Sequence, residues 1–265
     1  AFSNTYVYVV GETEGGLDNN TNSGDKDLFL VQYNASGTRQ WTQQLGTSSN
    51  DVAYGVAVDS SNNIFVAGAT FGGLSGSNSG SSDIFLVKYN SSGVRQWTKQ
   101  LGTTSEDVAY GITVDSNDHI YLTGYTKGDP WNVVGNLDNE TNSGNSDAFI
   151  LKYYDNSTLH WTTLLGTSNA EVGRSIARDS SNNLYVTGDN NTADGDYDAF
   201  LSKYNSSGVV QWTGNITSDN TSSSYADYGY GVVVNNDGYI YVVGNTGGEI
   251  DNNTNSGEQD VFIFK

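Results

Sequence analysis

The sequence predicts an all-β propeller of five four-stranded blades, the first and last of them incomplete. Three observations point there. The stretch DVAYGVAVDSSNNIFVAGAT that opens at Asp51 returns from Asp107 as DVAYGITVDSNDHIYLTGYT, from Glu171 as EVGRSIARDSSNNLYVTG and from Asp227 as DYGYGVVVNNDGYIYVVG. The copies align on Gly11, Gly68, Gly124, Gly188 and Gly244, 56 to 64 residues apart, and on Trp41, Trp97, Trp161 and Trp212. No segment has a helical period, so a repeat of this length is a four-stranded blade.

Each blade reads in the same order. A first strand of the GVAVD type (Gly55–Asp59, Gly111–Asp115, Gly231–Asn235) leads into an Asp/Asn/Ser turn, whose side chains bond local backbone and tolerate left-handed conformations. The second strand is an apolar run: Val7–Val10, Ile64–Ala67, Ile120–Leu122, Leu184–Val186 and Ile240–Val243. A strand apolar on both faces must be covered on both, which stacking of blades provides. The third strand carries Phe29, Phe85, Phe149, Phe200 or Phe262. The fourth carries the tryptophan and follows a hairpin turn (NASG, NSSG, DNST, NSSG) whose glycine suits a left-handed bulge position. The four tryptophans and the strand-three phenylalanines are expected to be buried in equivalent settings.

The repeats fall at about 1–47, 48–103, 104–167, 168–217 and 218–265, a single domain of three, four, four, four and three strands. The chain opens part-way through a copy and without Met, so it is expected to be a processed or trimmed part of a longer product.

The run GVAVDSSNNIFVAGAT…SDIFLVKYNSSGVRQW resembles the seven-bladed β-propeller repeat (SBBP repeat) of secreted and surface prokaryotic proteins, along essentially the whole chain. The resemblance implies a propeller architecture and an exported setting, and it brings no catalytic residues with it. Five repeats stand here where the family name says seven blades.

Composition narrows the function. Thirty acidic residues against 11 basic give a formal charge of -19. That charge argues against nucleic acid and anionic lipid as partners. No run of apolar residues is long enough to span a membrane as a helix. With no cysteine, there is neither a disulfide framework nor a thiolate metal site. Abundant Asn, Ser, Thr and Gly suit a secreted or cell-surface protein.

Candidates for chemistry are few. His119 and His160, the only histidines, occupy slots that polar residues fill in the other copies, which argues against a Ser–His–Asp mechanism. Acids recur in register: Asp27, Asp83, Asp147, Asp198 and Asp260 before the third strand, and Asp51, Asp107, Glu171 and Asp227 before the first. The first set reads as turn-closing side chains, and the second as a solvated ring near the channel mouth. Three near-identical loops, LDNNTNSGDKD, LDNETNSGNSD and IDNNTNSGEQD, place alternate oxygens at Asp18, Asn20 and Asn22, at Asp138, Glu140 and Asn142, and at Asp251, Asn253 and Asn255. Such oxygens suit Ca2+. The competing reading is an Asx-rich loop held by its own hydrogen bonds. Trp131, in the enlarged loop of the third blade, with Tyr125 and Phe71, could stack on a sugar or anchor a protein. Arg174 and Arg178 place positive charge in a first strand, where they neutralise neighbouring acids.

These features are read as an extracellular, non-enzymatic structural or adhesive propeller: a scaffold, a surface-layer component or a filament subunit. It would act through self-association or protein and surface partners. A carbohydrate-binding, lectin-like propeller is the alternative, and a glycoside-active enzyme comes third.

Overall fold

Runs of Val, Ile, Phe and Tyr bounded by Asx- and glycine-rich turns form strands throughout. The computed structural model describes residues 6–128, 142–191, 195–218, 225–251 and 253–265, and among these it holds only strands, turns and loops. The first sheet is β1 (Tyr6–Thr13), β2 (Asp27–Asn34) and β3 (Arg39–Leu45); the second is β4 (Asp51–Val58), β5 (Ile64–Thr70), β6 (Asp83–Tyr89) and β7 (Arg95–Leu101). The third is β8 (Asp107–Val114), β9 (Ile120–Thr126), β10 (Asp147–Tyr153) and β11 (Leu159–Leu165); the fourth is β12 (Glu171–Arg178), β13 (Leu184–Asn191), β14 (Tyr197–Tyr204) and β15 (Val210–Ile216). The fifth is β16 (Asp227–Val234), β17 (Ile240–Thr246) and β18 (Asp260–Phe264). These are the five blades of a β-propeller, each sheet with its strands in chain order.

Two compact units make up the chain: Ala1–Leu122 with Thr126–Asn132 and Lys152–His160, and Thr123–Tyr125 with Val133–Leu151 and Trp161–Lys265. In the first unit β4 packs between β1 and β8. Its core joins Leu28, Leu30, Ile64, Val66, Phe85 and Val87, with Trp41 and Leu45 against it. In the second unit β12 packs on β16, over a core of Tyr185, Ala199, Val232, Val242, Ile250 and Phe262.

The turns follow their chemistry. Asn62, Asp118 and Asn182 take φ of 63°, 63° and 61° in the Asx turns, and Gly37, Gly93 and Gly208 take 79°, 77° and 83° in the hairpins. Ser157, in the DNST turn that lacks glycine, adopts the same left-handed φ of 70°.

Three expectations are corrected. The first strands begin four residues earlier than the GVAVD pattern suggests, at Asp51, Asp107, Glu171 and Asp227. Second strands are fully covered only in the inner sheets: Val7 and Val9 of β1 are 37% and 43% exposed, and Val243 of β17 is 40% exposed. The tryptophans are not equivalent. Trp161 is 4% exposed, whereas Trp212 is 42% exposed. Coverage comes from the following sheet's hairpin, since Gly93 lies against the Trp41 ring and Gly208 against the Trp161 ring. Trp212 receives no such cover among the described residues.

Candidate functional site

The recurring acids divide into two structural roles. Asp27, Asp83 and Asp260 accept the amides of Ser23, Ser79 and Ser256 at 2.9, 3.0 and 2.8 Å, and Asp147 accepts that of Ser143 at 3.1 Å. These close the turn before the third strand, as the sequence implies. The second set is not a solvated ring. Asp51, Asp107 and Asp227 are 0% exposed and Glu171 is 3% exposed, because each is the first residue of its strand and lies beneath the preceding loop. Thr47 donates its amide and hydroxyl to Asp51 at 2.6 and 2.9 Å, and Thr103 does the same to Asp107 at 2.6 and 2.8 Å. The Thr167 amide reaches Glu171 at 3.0 Å. Burial pushes the carboxyls of Asp51, Asp107 and Asp227 up, and threonine donors partly offset it. Asp27, Asp83, Asp147 and Asp260 thus share one kind of donor, and Asp51, Asp107 and Glu171 another, whereas Asp227 takes the amide of Ser218 at 2.7 Å and Asp198 lies within β14.

In the first sheet the Asx-rich loop spends its carboxylate on protein. Both carboxylate oxygens of Asp18 are engaged, one by the Arg39 guanidinium and the other by the Thr42 hydroxyl at 2.5 Å. Asn20 donates its side-chain amide to the carbonyls of Leu17 and Thr42 at 2.8 and 3.3 Å. Asn22, Asn142 and Asn255 each accept the amide two residues on, at 3.0, 3.0 and 2.8 Å. The Leu17 amide donates to Gln44 at 2.9 Å, and Gln44 donates back to Asp27 at 3.0 Å. In the first sheet this loop therefore grips the tryptophan strand. Asp251 and Asn253, the counterparts of Asp18 and Asn20, are exposed. Among the described residues no group of three or more His, Asp or Glu side chains is placed to hold a metal ion. Asp138 and Glu140 lie outside the described residues.

The densest departure from the repeat is a cluster in the second unit. The β-bulges of β4, β12 and β16 turn out Tyr54, Arg174 and Tyr230, and a bulge re-aims its side chain. Arg174 lies over the rings of Tyr228 and Tyr230, at 5.7 and 5.4 Å from their centroids, and pairs with Asp189. Tyr197 stacks on Tyr228 at 5.5 Å, and Tyr228 on Tyr230 at 6.1 Å. Asp189 is 2% exposed; burial pushes its carboxyl up and the guanidinium pulls it back. Arg174 neutralises an acid, as the sequence implies. Of the three tyrosines around it, Tyr228 and Tyr230 share β16 and Tyr197 comes from β14, a pairing the sequence alone does not show. In the first unit Tyr54 meets Tyr110 edge-on at 4.9 Å.

The remaining candidates are scattered. Phe71 is 41% exposed just after β5, Tyr125 is half-buried in β9, and Trp131 lies outside the described residues. His119 Nδ1 meets Asp115 at 2.9 Å in its turn, and His160 lies 4.5 Å from the Tyr154 ring.

Residues 40–74, 96–130 and 160–195 match SBBP, the beta-propeller repeat. An uncharacterized WD repeat-containing protein of Acanthamoeba polyphaga mimivirus is 25% identical over 66% of this chain, and the regulatory protein FlaEY of Caulobacter vibrioides is 28% identical over 54%. The chain spans only 14% and 16% of the length of these curated relatives. Among solved structures, a Hadza microbial sialidase superposes with a TM-score of 0.52 at 9% identity, over 89% of this chain and 52% of its own. That likeness is one of fold.

Proposed function

Since the chain carries SBBP β-propeller repeats, we propose that it is a non-enzymatic structural or adhesive module displayed outside the cell. One observation carries this reading: the buried carboxylates recur in register and meet the same local donors in successive sheets, so the acids serve the frame. A glycosidase needs two carboxyl groups facing each other across a cleft. The acidic surface, with its charge of -19, keeps such a module dispersed until a specific partner is met.

The test has two arms. Antibody labelling of intact cells of the source organism should detect the module at the surface. The purified protein should turn over no glycoside from a broad chromogenic panel. Turnover abolished by a single Asp→Asn change would refute the reading, as would labelling only after lysis.

A second reading, carbohydrate binding, is favoured by the Arg174, Tyr197, Tyr228 and Tyr230 cluster, since arginine and tyrosine faces suit sugar rings. Saturable glycan binding lost on Tyr230→Ala would support it.

A further inference from the structure

Two families of tight turns close the sheets, and both use the same cap. Between first and second strands, Asp59 Oδ1 accepts the amides of Ser61 and Asn63 at 2.9 and 2.7 Å. Asp115 does so with Asn117 and His119, Asp179 with Ser181 and Asn183, and Asn235 with Asp237 and Tyr239, all at 2.8–3.1 Å. In the hairpins between third and fourth strands, Asn34 Oδ1 accepts the amides of Ser36 and Thr38 at 3.1 and 2.8 Å. Asn90 accepts those of Ser92 and Val94 at 3.1 and 2.9 Å, and Asn205 those of Ser207 and Val209, both at 3.0 Å. Aspartate and asparagine serve such a cap alike, since it uses one side-chain oxygen.

The two families nevertheless choose differently. The first uses Asp in three turns of four, and its one asparagine, Asn235, is followed two residues on by Asp237. The hairpins use Asn in all four, each followed two residues on by a hydroxyl: Asn34-Ala-Ser, Asn90-Ser-Ser, Asn156-Ser-Thr and Asn205-Ser-Ser. In the third hairpin Tyr154 and Asp155 hold the first two places, so the asparagine stands later, yet Asn156 still accepts the amide of its hydroxyl residue, Thr158, at 3.0 Å. An acid fits this turn, since Asp155 takes the Lys88 ammonium.

What distinguishes Asn from Asp is not used by the fold. Among the described residues the Nδ2 atoms of Asn34, Asn90, Asn156 and Asn205 donate to nothing, whereas Asp59 and Asp179 spend their second oxygen on Asn63 and Asn183, at 2.7 Å each. Nor do the hydroxyls of Ser92, Thr158 and Ser207 bond any described group; only Ser36 turns its hydroxyl onto Asn34, at 2.7 Å. All four hydroxyl residues are exposed. We propose that these four asparagines are acceptors for N-linked glycan, one in each of the first four sheets. The amide and the hydroxyl that the fold leaves idle are the two groups an Asn-x-Ser/Thr acceptor needs. Nδ2 attacks C1 of an oligosaccharide carried on a lipid phosphate or pyrophosphate. The Nδ2–C1 bond forms as the bond from C1 to the phosphate oxygen breaks, one Nδ2 proton is released, and the lipid phosphate leaves. Oδ1 keeps its cap throughout, so the modified turn holds its shape. The proposal rests on the reading of an exported module, since such transfer meets exported chains.

The test is peptide mapping of the protein isolated from its source organism. Trypsin releases residues 27–39, 89–95 and 153–174, each holding one of these acceptors. A glycan mass on Asn34, Asn90 and Asn156 is expected, with sugar fragment ions in the tandem spectra. Asn90→Asp keeps the capping oxygen and Ser92→Ala keeps the asparagine. Each should strip the glycan from 89–95 and leave it on 27–39 and 153–174. Made in a host without N-glycosylation, both variants should melt with the parent chain. A melting loss in either would assign the amide or the hydroxyl to the fold and overturn the proposal. Bare peptides at all three positions, in protein that antibody labels on intact cells, overturn the proposal and leave the exported reading standing. Labelling only after lysis overturns that reading, and bare peptides with it overturn both.

Discussion

The glycine that ends each second strand offers a controlled test of the blade. A Cβ on Gly68 would lie 1.9 Å from the Val52 carbonyl oxygen and 2.8 Å from Phe85 Cζ. On Gly188 it would lie 1.8 Å from the Val172 oxygen. On Gly11 the nearest atoms are only ring carbons of Phe29, at 2.9 and 3.0 Å, and among the described residues no strand pairs with β1 on its other side. Carbon–oxygen contacts settle near 3.3–3.6 Å, so in the second sheet the carbonyl must retreat by more than about 1 Å. That carbonyl stands at the bulge of β4, and moving it breaks ladder pairing with β5. One or two lost hydrogen bonds at about 1 kcal/mol each, with about 1–3 kcal/mol of overpacking, put the cost of Gly68→Ala near 3–4 kcal/mol. Gly11→Ala asks only for a ring to swing, and the gain of about 0.5–1 kcal/mol from replacing a strand glycine offsets it. Urea midpoints at unchanged m-value measure both. If the two variants lie within about 1 kcal/mol of each other, the carbonyl contact does not govern the glycine and the reasoning fails.

Trp161→Ala should cost about 3–5 kcal/mol, and Trp212→Ala about half of that or less, in the same denaturation assay; equal losses would contradict their 4% and 42% exposures. Arg174→Met leaves the buried Asp189 unpaired and should destabilise by about 3–5 kcal/mol, with most of the loss recovered when Asp189→Asn is added; no recovery would sever the pair. The pH dependence should split by sign. Burial pushes the Asp115 carboxyl up, but the bonds from His119, Asn117 and Tyr121 outweigh it and hold it low, so its stability is present above about pH 4 and is lost as pH falls through the depressed value. For Asp51 burial wins and the carboxyl is raised, so its contribution is full at low pH and is lost as pH rises through the raised value. Hence the deficit of Asp115→Asn should grow with rising pH while that of Asp51→Asn shrinks, and parallel profiles would refute the assignment.

The strand register was legible because it is local: apolar runs, Asx turns and turn glycines recur in every copy. The turn-closing Asp27 and Asp83 were legible for the same reason, each bonding an amide four residues earlier. Asp51 and Asp107 were not. An acid ahead of an apolar run looks solvated, yet the main-chain carbonyls of Lys26 and Ser82, from the preceding sheet, draw their amides into a ladder under the loop. Trp212 fails similarly, since tryptophan coverage comes from a hairpin one sheet further on. The Arg174 cluster was half legible. The charge stands out from the repeat, but Tyr197 and Tyr228 are brought together only by the packing of β14 and β16.

The amides of Asp51, Asp107 and Glu171 donate to carbonyls about 25 residues earlier, those of Lys26, Ser82 and Ser146. Each such stitch joins a sheet to the one before it over a short stretch of chain. Loop-closure cost is therefore low at each step. A chain of this kind can assemble during synthesis, each new sheet seating on the last. Its energetics approach a sum of nearest-neighbour terms, as in linear repeat arrays. Duplication or loss of one repeat then changes the number of sheets and leaves every remaining stitch intact. The same repeat can thereby populate arrays of different lengths without redesign of any single junction.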